Sequence, residues 1–500
     1  MHYTLLPDKG EFTQRFDRKI PQLVSATIIA DLETPVSTLL KLQRAGEPCF
    51  LLESVQGGEN LGRYSIIGLK PDLLWRCRGN KAEINRRGTL NEADFEAVEE
   101  NSLAALKSLL RSSRLDIPEH LPPMAAGFIG YMGYDMVKLM EKLPDKNPDA
   151  IGLPDAYLMR PRIMIIFDSV KGELHVVTPI WKEHGFASAE VAYEAASKII
   201  GETVQQLRQP LTLPEHRVQM EPLPFASNTT REEYHGMVER AKEYIRAGDI
   251  FQVVPSQRFH APFRLPHFSL YRSLRHLNPS PFLFFLNFGT FSLVGSSPEI
   301  LVRLRDGAVT IRPIAGTRKR GANKEEDKAL AEDLLSDPKE IAEHLMLLDL
   351  GRNDVGRIAK TGTVKVTERM VIEHYSHVMH IVSNVEGMVD DKRFDMIDAL
   401  VAGFPAGTVS GAPKIRAMEI IDELEKERRS FYGGCVGYFS ANGSMDTCIT
   451  LRTALIKDGT IYAQAGGGVV ADSDPEAEYQ ESCNKARAVM SAAQDAWRFA

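Results

Sequence analysis

Apolar and polar positions change their period along this chain, and the changes divide it. From about residue 15 to 180, apolar residues come in short β-type runs between Gly and Pro turns. Examples are Phe50-Leu51-Leu52-Glu53-Ser54, Tyr64-Ser65-Ile66-Ile67-Gly68 and Arg162-Ile163-Met164-Ile165-Ile166-Phe167. Ala187 to Leu207 then shows the helical period. Pro210, Pro214, Pro222 and Pro224 predict an irregular connector over 209–228. A capping box, Thr230-Arg231-Glu232-Glu233, opens the next helix, and Gly248 is placed to end it. Asp337-Pro338-Lys339-Glu340 starts another, with Asp337 as cap and Glu340 reaching back. Its continuation to Leu350 is apolar nearly all round and is expected to be buried. Strands and helices mix without regular βαβ alternation. The expected class is α+β, with large, mostly antiparallel sheets and surrounding helices in a bilobal body. Three segments are expected: an N-terminal domain at 15–180, a helix and connector at 181–228, and a C-terminal domain at 229–490.

Composition narrows the function classes. The 43% hydrophobic and 25% charged content is that of a globular protein. A net charge of −7 without a basic tract argues against nucleic acid as partner. The most apolar stretch, Phe282 to Phe288, contains Asn287 and falls short of the roughly 18 residues a membrane span needs. The first residues do not read as a signal peptide, so a cytoplasmic location is expected. Cys49, Cys77, Cys435, Cys448 and Cys483 form no CxxC pair, and a zinc site is not expected.

The chemistry concentrates late in the chain. Gly466-Gly467-Gly468 precedes a helix that Asp474 can cap and Pro475 can begin. Glu478, Glu481 and Lys485 share one face of that helix. The glycines let backbone N–H groups converge on an anion. Two carboxylates, a lysine and such a nest suit Mg²⁺ holding a carboxylate-bearing substrate. Glu343 is either an ion-pair partner of a residue such as Arg352 or a metal ligand facing the C-terminal helix. The Gly407–Lys414 segment reads as an anion loop at a helix start, or as a tight turn with a capping hydroxyl. Ile314 to Gly321 reads as a basic surface turn. His380, in the run His377-Val378-Met379-His380-Ile381-Val382, reads as a core histidine unless it faces a cleft, where it could carry protons.

These segments together resemble the chorismate-utilising enzymes. The resemblance rests on Ser296-Ser297-Pro298-Glu299, Ile314-Ala315-Gly316-Thr317-Arg318, Glu343 to Asp354, the Gly407–Lys414 loop and Gly466 to Lys485. In the first half it adds Leu51-Leu52-Glu53-Ser54, Gly62 to Gly68, and Gly127-Phe128-Ile129-Gly130-Tyr131. It points to the branch that converts chorismate and ammonia to anthranilate and pyruvate, the step that opens tryptophan synthesis. The resemblance implies that Glu299 is the acid for the leaving hydroxyl, with His380 and Thr408 also catalytic. It implies chorismate contacts at Gly316, Thr317, Tyr432, Arg452, Gly466, Gly467, Gly468 and Lys485, with Arg452 as a carboxylate clamp. Mg²⁺ ligands are implied at Glu343 and Glu481. Ala315, where hydroxylating relatives carry lysine, favours amination. The resemblance also implies inhibition by tryptophan bound near Glu53, Ser54, Pro281, Phe282 and Leu283. It further implies ammonia from a separate glutamine amidotransferase subunit, in a heterotetramer of two large and two small subunits. The alternatives are the branch that aminates chorismate at C4, or a non-catalytic tryptophan-binding subunit.

Overall fold

The computed structural model describes residues 3–56, 60–211, 221–375 and 378–500, except the side chains at 56, 60 and 61. Part of the proline connector, including Pro214, and His377 therefore lie outside the described residues. The protein is α+β. A large sheet runs through both halves of the chain, and its pairings among the described residues are antiparallel. Strand Cys49–Glu53 lies between Tyr64–Arg78 and Phe282–Asn287. Strand Gly127–Met132 lies between Ala156–Asp168 and Cys435–Ser440. Early and late segments are thus woven together by backbone hydrogen bonds.

Tyr64–Arg78 is buried on both faces over most of its length, which explains its near-continuous apolar run. One core packs the helices Ala189–Leu207 and His267–Leu277 against the sheet. A second core holds Met396–Gly403 and Ser102–Ser112, and a third fills the interior around Tyr131, Phe284 and Leu455. No helix among the described residues is long and apolar enough to cross a membrane.

Several local signals act as read. The helix Ala189–Leu207 forms, and the Thr230/Glu233 capping box opens Arg231–Arg246. Gly248 has φ +82°, and the Gly248 and Asp249 N–H groups return to Ile245 and Tyr244, closing the helix. Others differ. The helix Pro338–Gly356 is half exposed rather than buried, with Leu345 and Asp349 toward solvent. Asp337 caps it alone; the Glu340 carboxylate accepts from Arg318 at 3.2 Å instead of reaching back. Ile314–Lys319 is a strand, not a surface turn, because it pairs with Val378–Met388.

Candidate active site

Glu299 follows the strand Phe291–Ser297 and leads into Ile300–Arg305. It is 7% exposed, and both carboxylate oxygens accept from the Thr408 hydroxyl, at 3.2 and 3.1 Å. Burial pushes its pKa up to about 8; the Thr408 bond and the charges of Lys485 and Arg452 pull it back only in part. Glu299 is therefore a protonated carboxylic acid at neutral pH, next to two cations. Arg452 sits at φ +48°, and its guanidinium meets no hydrogen-bond acceptor among the described residues. A half-buried guanidinium without an acceptor is ready to take an anionic group.

His380 stands on Val378–Met388, opposite a bulge at Gly316. Gly316 has φ +79°, a backbone state open to glycine, and this tips its carbonyl toward the imidazole. The Gly316 carbonyl lies 3.0 Å from His380 Nδ1, and the Thr317 hydroxyl also lies 3.0 Å from it. A carbonyl can only accept, so Nδ1 carries the proton and Nε2 keeps its lone pair. Burial lowers the His380 pKa to about 4, so the ring is neutral and able to accept a proton.

The carboxylates of the two helices meet the glycine run. Glu343, on Pro338–Gly356, accepts from Gln252 Nε2 at 3.0 Å; Arg352 is occupied by Asp349 instead. Asp474 caps the helix Pro475–Asp495 through Ala477 N at 2.9 Å. Glu478 accepts from Ser473 at 2.7 Å through one oxygen, and its other oxygen is buried without a partner. Glu481 pairs with Lys485 at 2.7 Å, and Lys485 also donates to the Gly466 carbonyl at 3.1 Å. Tyr432 is buried against the Gly466 backbone. Burial raises the pKa of Glu343 and Glu478, and neighbouring carboxylates add to it. Lys485 acts electrostatically on Glu299, His380, Glu343 and Glu478, so all four lie within its electrostatic reach. Glycine serves close approach here rather than a left-handed turn. A Cβ at Gly466, Gly467 or Gly468 would lie 2.4 Å from the Pro255 carbonyl, 2.6 Å from Glu478 Oε2 and 2.6 Å from Gln252 Nε2, respectively. Removing the cap by Asp474→Ala is expected to cost about 1 kcal/mol. A lowered Tm in thermal melts would show it, and an unchanged Tm would contradict the cap.

The model of the chorismate binding enzymes matches residues 47–491. The chain belongs to this family. It is 60% identical over 480 residues to anthranilate synthase component 1 of Cereibacter sphaeroides, covering 96% of each chain. It is 49% identical over 467 residues to the protein of that name in Aquifex aeolicus, covering 93% of each. Its fold superposes on the crystal structure of anthranilate synthase component I from Streptococcus pneumoniae with TM-score 0.77 and 39% identity, covering 86% of this chain and 92% of the other. The chain is thus an enzyme of the chorismate-binding family.

The donor set of the site suits a hard cation. Glu343 and Glu481 bring carboxylate oxygens within electrostatic reach of each other, and Gln252 Oε1 and Glu478 Oε2 are buried oxygens without partners. No cluster of three or more His, Cys, Asp or Glu side chains able to hold a metal occurs among the described residues. An ion here would take few protein ligands, as Mg²⁺ does when substrate and water complete its shell.

The residues expected to hold tryptophan line a cavity of about 1030 Å³. Glu53, Ser54, Pro281, Phe282 and Leu283 lie in its wall, because Leu283 and Glu53 are register partners across two strands. Glu53 is already engaged: Arg275 grips both its oxygens at 2.7 and 3.1 Å, and the Tyr271 hydroxyl donates to it. The same cavity reaches Pro298, next to Glu299, and Tyr375, whose ring stands 5.3 Å from that of His380. Gln252, Ser473 and Tyr375 were missed by motif reading. A polar Gln252 inside Ile250-Phe251-Gln252-Val253-Val254 was the one available signal.

The Gly407–Lys414 segment begins with a tight turn at Gly407–Val409 that has no capping hydroxyl. Helix Lys414–Leu424 begins at Pro413 without a side-chain cap, and Lys414 is spent on buried Asp354 at 2.8 Å. The loop's contribution is the Thr408 hydroxyl.

Proposed function

We propose that this chain is the large subunit of an anthranilate synthase, converting chorismate and ammonia to anthranilate, pyruvate and water. The observation that carries the reading is the buried Glu299, held by Thr408 within electrostatic reach of Arg452 and Lys485. A ring hydroxyl leaves only when protonated, and a buried acid with pKa near working pH is suited to give that proton. Ammonia attacks C2 as the C4 hydroxyl departs as water with the Glu299 proton. A base then removes the C2 proton, and the enolpyruvyl ether breaks to pyruvate as the ring becomes aromatic. Neutral His380, with Nε2 open, is the candidate base. Arg452 holds the enolpyruvyl carboxylate, while Gly316, Thr317, Tyr432, Lys485 and the Gly466–Gly468 backbone frame the ring and its carboxylate. Glu343 and Glu481 would hold Mg²⁺, which when bound offsets the substrate's carboxylate charge and polarises developing charge. Ala315, 9% exposed on the strand that carries Gly316, supplies no competing amine.

The relatives' designation as component 1 supports a companion component. We assign that companion the role of a glutamine amidotransferase that delivers ammonia, in a cytoplasmic assembly of two large and two small subunits. Tryptophan is assigned to the 1030 Å³ cavity, a volume at the upper end of small-molecule sites.

The deciding experiment is anthranilate fluorescence from purified protein with chorismate, Mg²⁺ and an ammonium salt, without glutamine. Fluorescence that tryptophan suppresses is the expected result. Chorismate consumed without fluorescence would place the enzyme in another branch of the family. Unchanged fluorescence with tryptophan would remove the regulatory assignment alone.

A further inference from the structure

Arg429 is 2% exposed and lies outside the groups assigned above. Its Nε donates to both oxygens of Glu425, at 3.1 and 2.9 Å, and Nη2 adds a bond to Oε1 at 2.5 Å. Glu425 also accepts from Ser256 N at 2.8 Å and Ser256 Oγ at 2.7 Å. Two further bonds go to backbone: Nη1 to the Val409 carbonyl at 2.5 Å and Nη2 to the Val254 carbonyl at 2.6 Å. The Tyr134 and Tyr432 rings pack over the guanidinium, at 4.8 and 5.5 Å.

A buried ion pair is weak evidence for stabilisation, because desolvation offsets much of the attraction. What distinguishes this one is the pair of carbonyls it fixes. Val409 follows Thr408, which bonds to Glu299. Val254 lies two residues after Gln252, which bonds to Glu343. The two segments also join directly, through Val254 N to the Ser410 carbonyl at 3.0 Å. One planar cation therefore spans the acid side and the carboxylate side of the site. Lysine has the charge but not the fork, and it cannot reach Glu425 and two carbonyls at once.

We propose that Arg429 is a positioning residue for the reaction, setting where Thr408 stands against Glu299 and where Gln252 stands against Glu343, without touching substrate. The inference rests on the chorismate-amination reading. In Arg429→Lys, kcat per folded enzyme is expected to fall about 10- to 100-fold, the scale of an ångström-sized misplacement.

A purely structural role would lower Tm and leave the Glu299 proton alone, so a second readout is needed. The Thr408 bond favours the Glu299 carboxylate, against the desolvation that opposes it. Infrared titration of Glu299, as wild type minus Glu299→Gln, reads that group without turnover. The other charges acting on it, Lys485 and Arg452, remain in every variant. Arg429→Lys is expected to move the titration to higher pH, as Thr408→Val does, and the double variant to move it no further than Thr408→Val. If Arg429→Lys does not fold, Glu425→Gln, which keeps the shape and loses the charge, is read in the same way. An unmoved titration, or a wild-type kcat per folded enzyme, would overturn the assignment. Absence of turnover in the wild type would instead remove the functional reading, and the titration would still decide the positioning role.

Discussion

Glu299→Gln is expected to lower kcat by about 10²- to 10⁴-fold, the range general acid catalysis contributes. Glutamine keeps the shape and can still accept from Thr408, so packing is preserved. It has no proton to give the leaving hydroxyl. The wild-type rate should fall as pH rises through about 8, where Glu299 loses its proton. The variant's residual rate should lack that limb. Stability carries the same signature. The folded pKa stands at about 8 against an ordinary 4.5, so the folded state holds the proton more tightly than the unfolded chain. The associated stability is fully present below about 4.5 and is lost as pH rises through about 8. Denaturant melts of the wild type should show that slope, reduced in Glu299→Gln. A variant that retains near-normal kcat would exclude Glu299 as the acid.

Glu481→Ala is the second large effect. Its side chain is half exposed and pairs with Lys485 at 2.7 Å on the surface of one helix. Exposed pairs of this kind contribute little to folding, so Tm should hardly change. Turnover should collapse nonetheless, by about 10²- to 10³-fold, because the proposed ion loses one of only two protein carboxylates while the substrate's charges stay in place. Adding Mg²⁺ should recover part of the rate in the variant, with half-saturation at a higher concentration than in the wild type. Near-normal activity at low Mg²⁺ would refute a metal role for Glu481. A loss of rate matched by a large drop in Tm would mean that the residue supports the helix instead.

The two variants also test different depths of the site. Glu299 acts through burial, which favours its protonated form, whereas the Glu481 side chain is half exposed. Only the folded chain creates that difference, since neither the Ser296–Glu299 motif nor the spacing of Glu478 and Glu481 states which carboxyl is dry.

Features that depend on a few neighbouring residues were legible in the chain itself. The Thr230/Glu233 box, the Asp474 cap and the Gly248 terminus were, because a cap closes over three or four residues whatever lies beyond. The α+β class was too, since the strand and helix periods are local. The candidate residues were reached by motif resemblance. What tertiary structure decided is who meets whom. Glu340 left its expected capping bond because Arg318 arrives on a strand 22 residues earlier. Glu53 is held by Tyr271 and Arg275, 218 and 222 residues away, so its charge is spent before any ligand arrives. At Gly466 the Pro255 carbonyl comes too close for a side chain, while at Gly467 and Gly468 the Glu478 and Gln252 side-chain ends would have to shift to admit one. His380 is neutral, with a defined tautomer, because the bulge at Gly316 turns a carbonyl toward it inside a dry site. Caps and periods follow from bonds that span a turn. Charge states, tautomers and clearances follow from desolvation and packing, which exist only once distant segments are brought together.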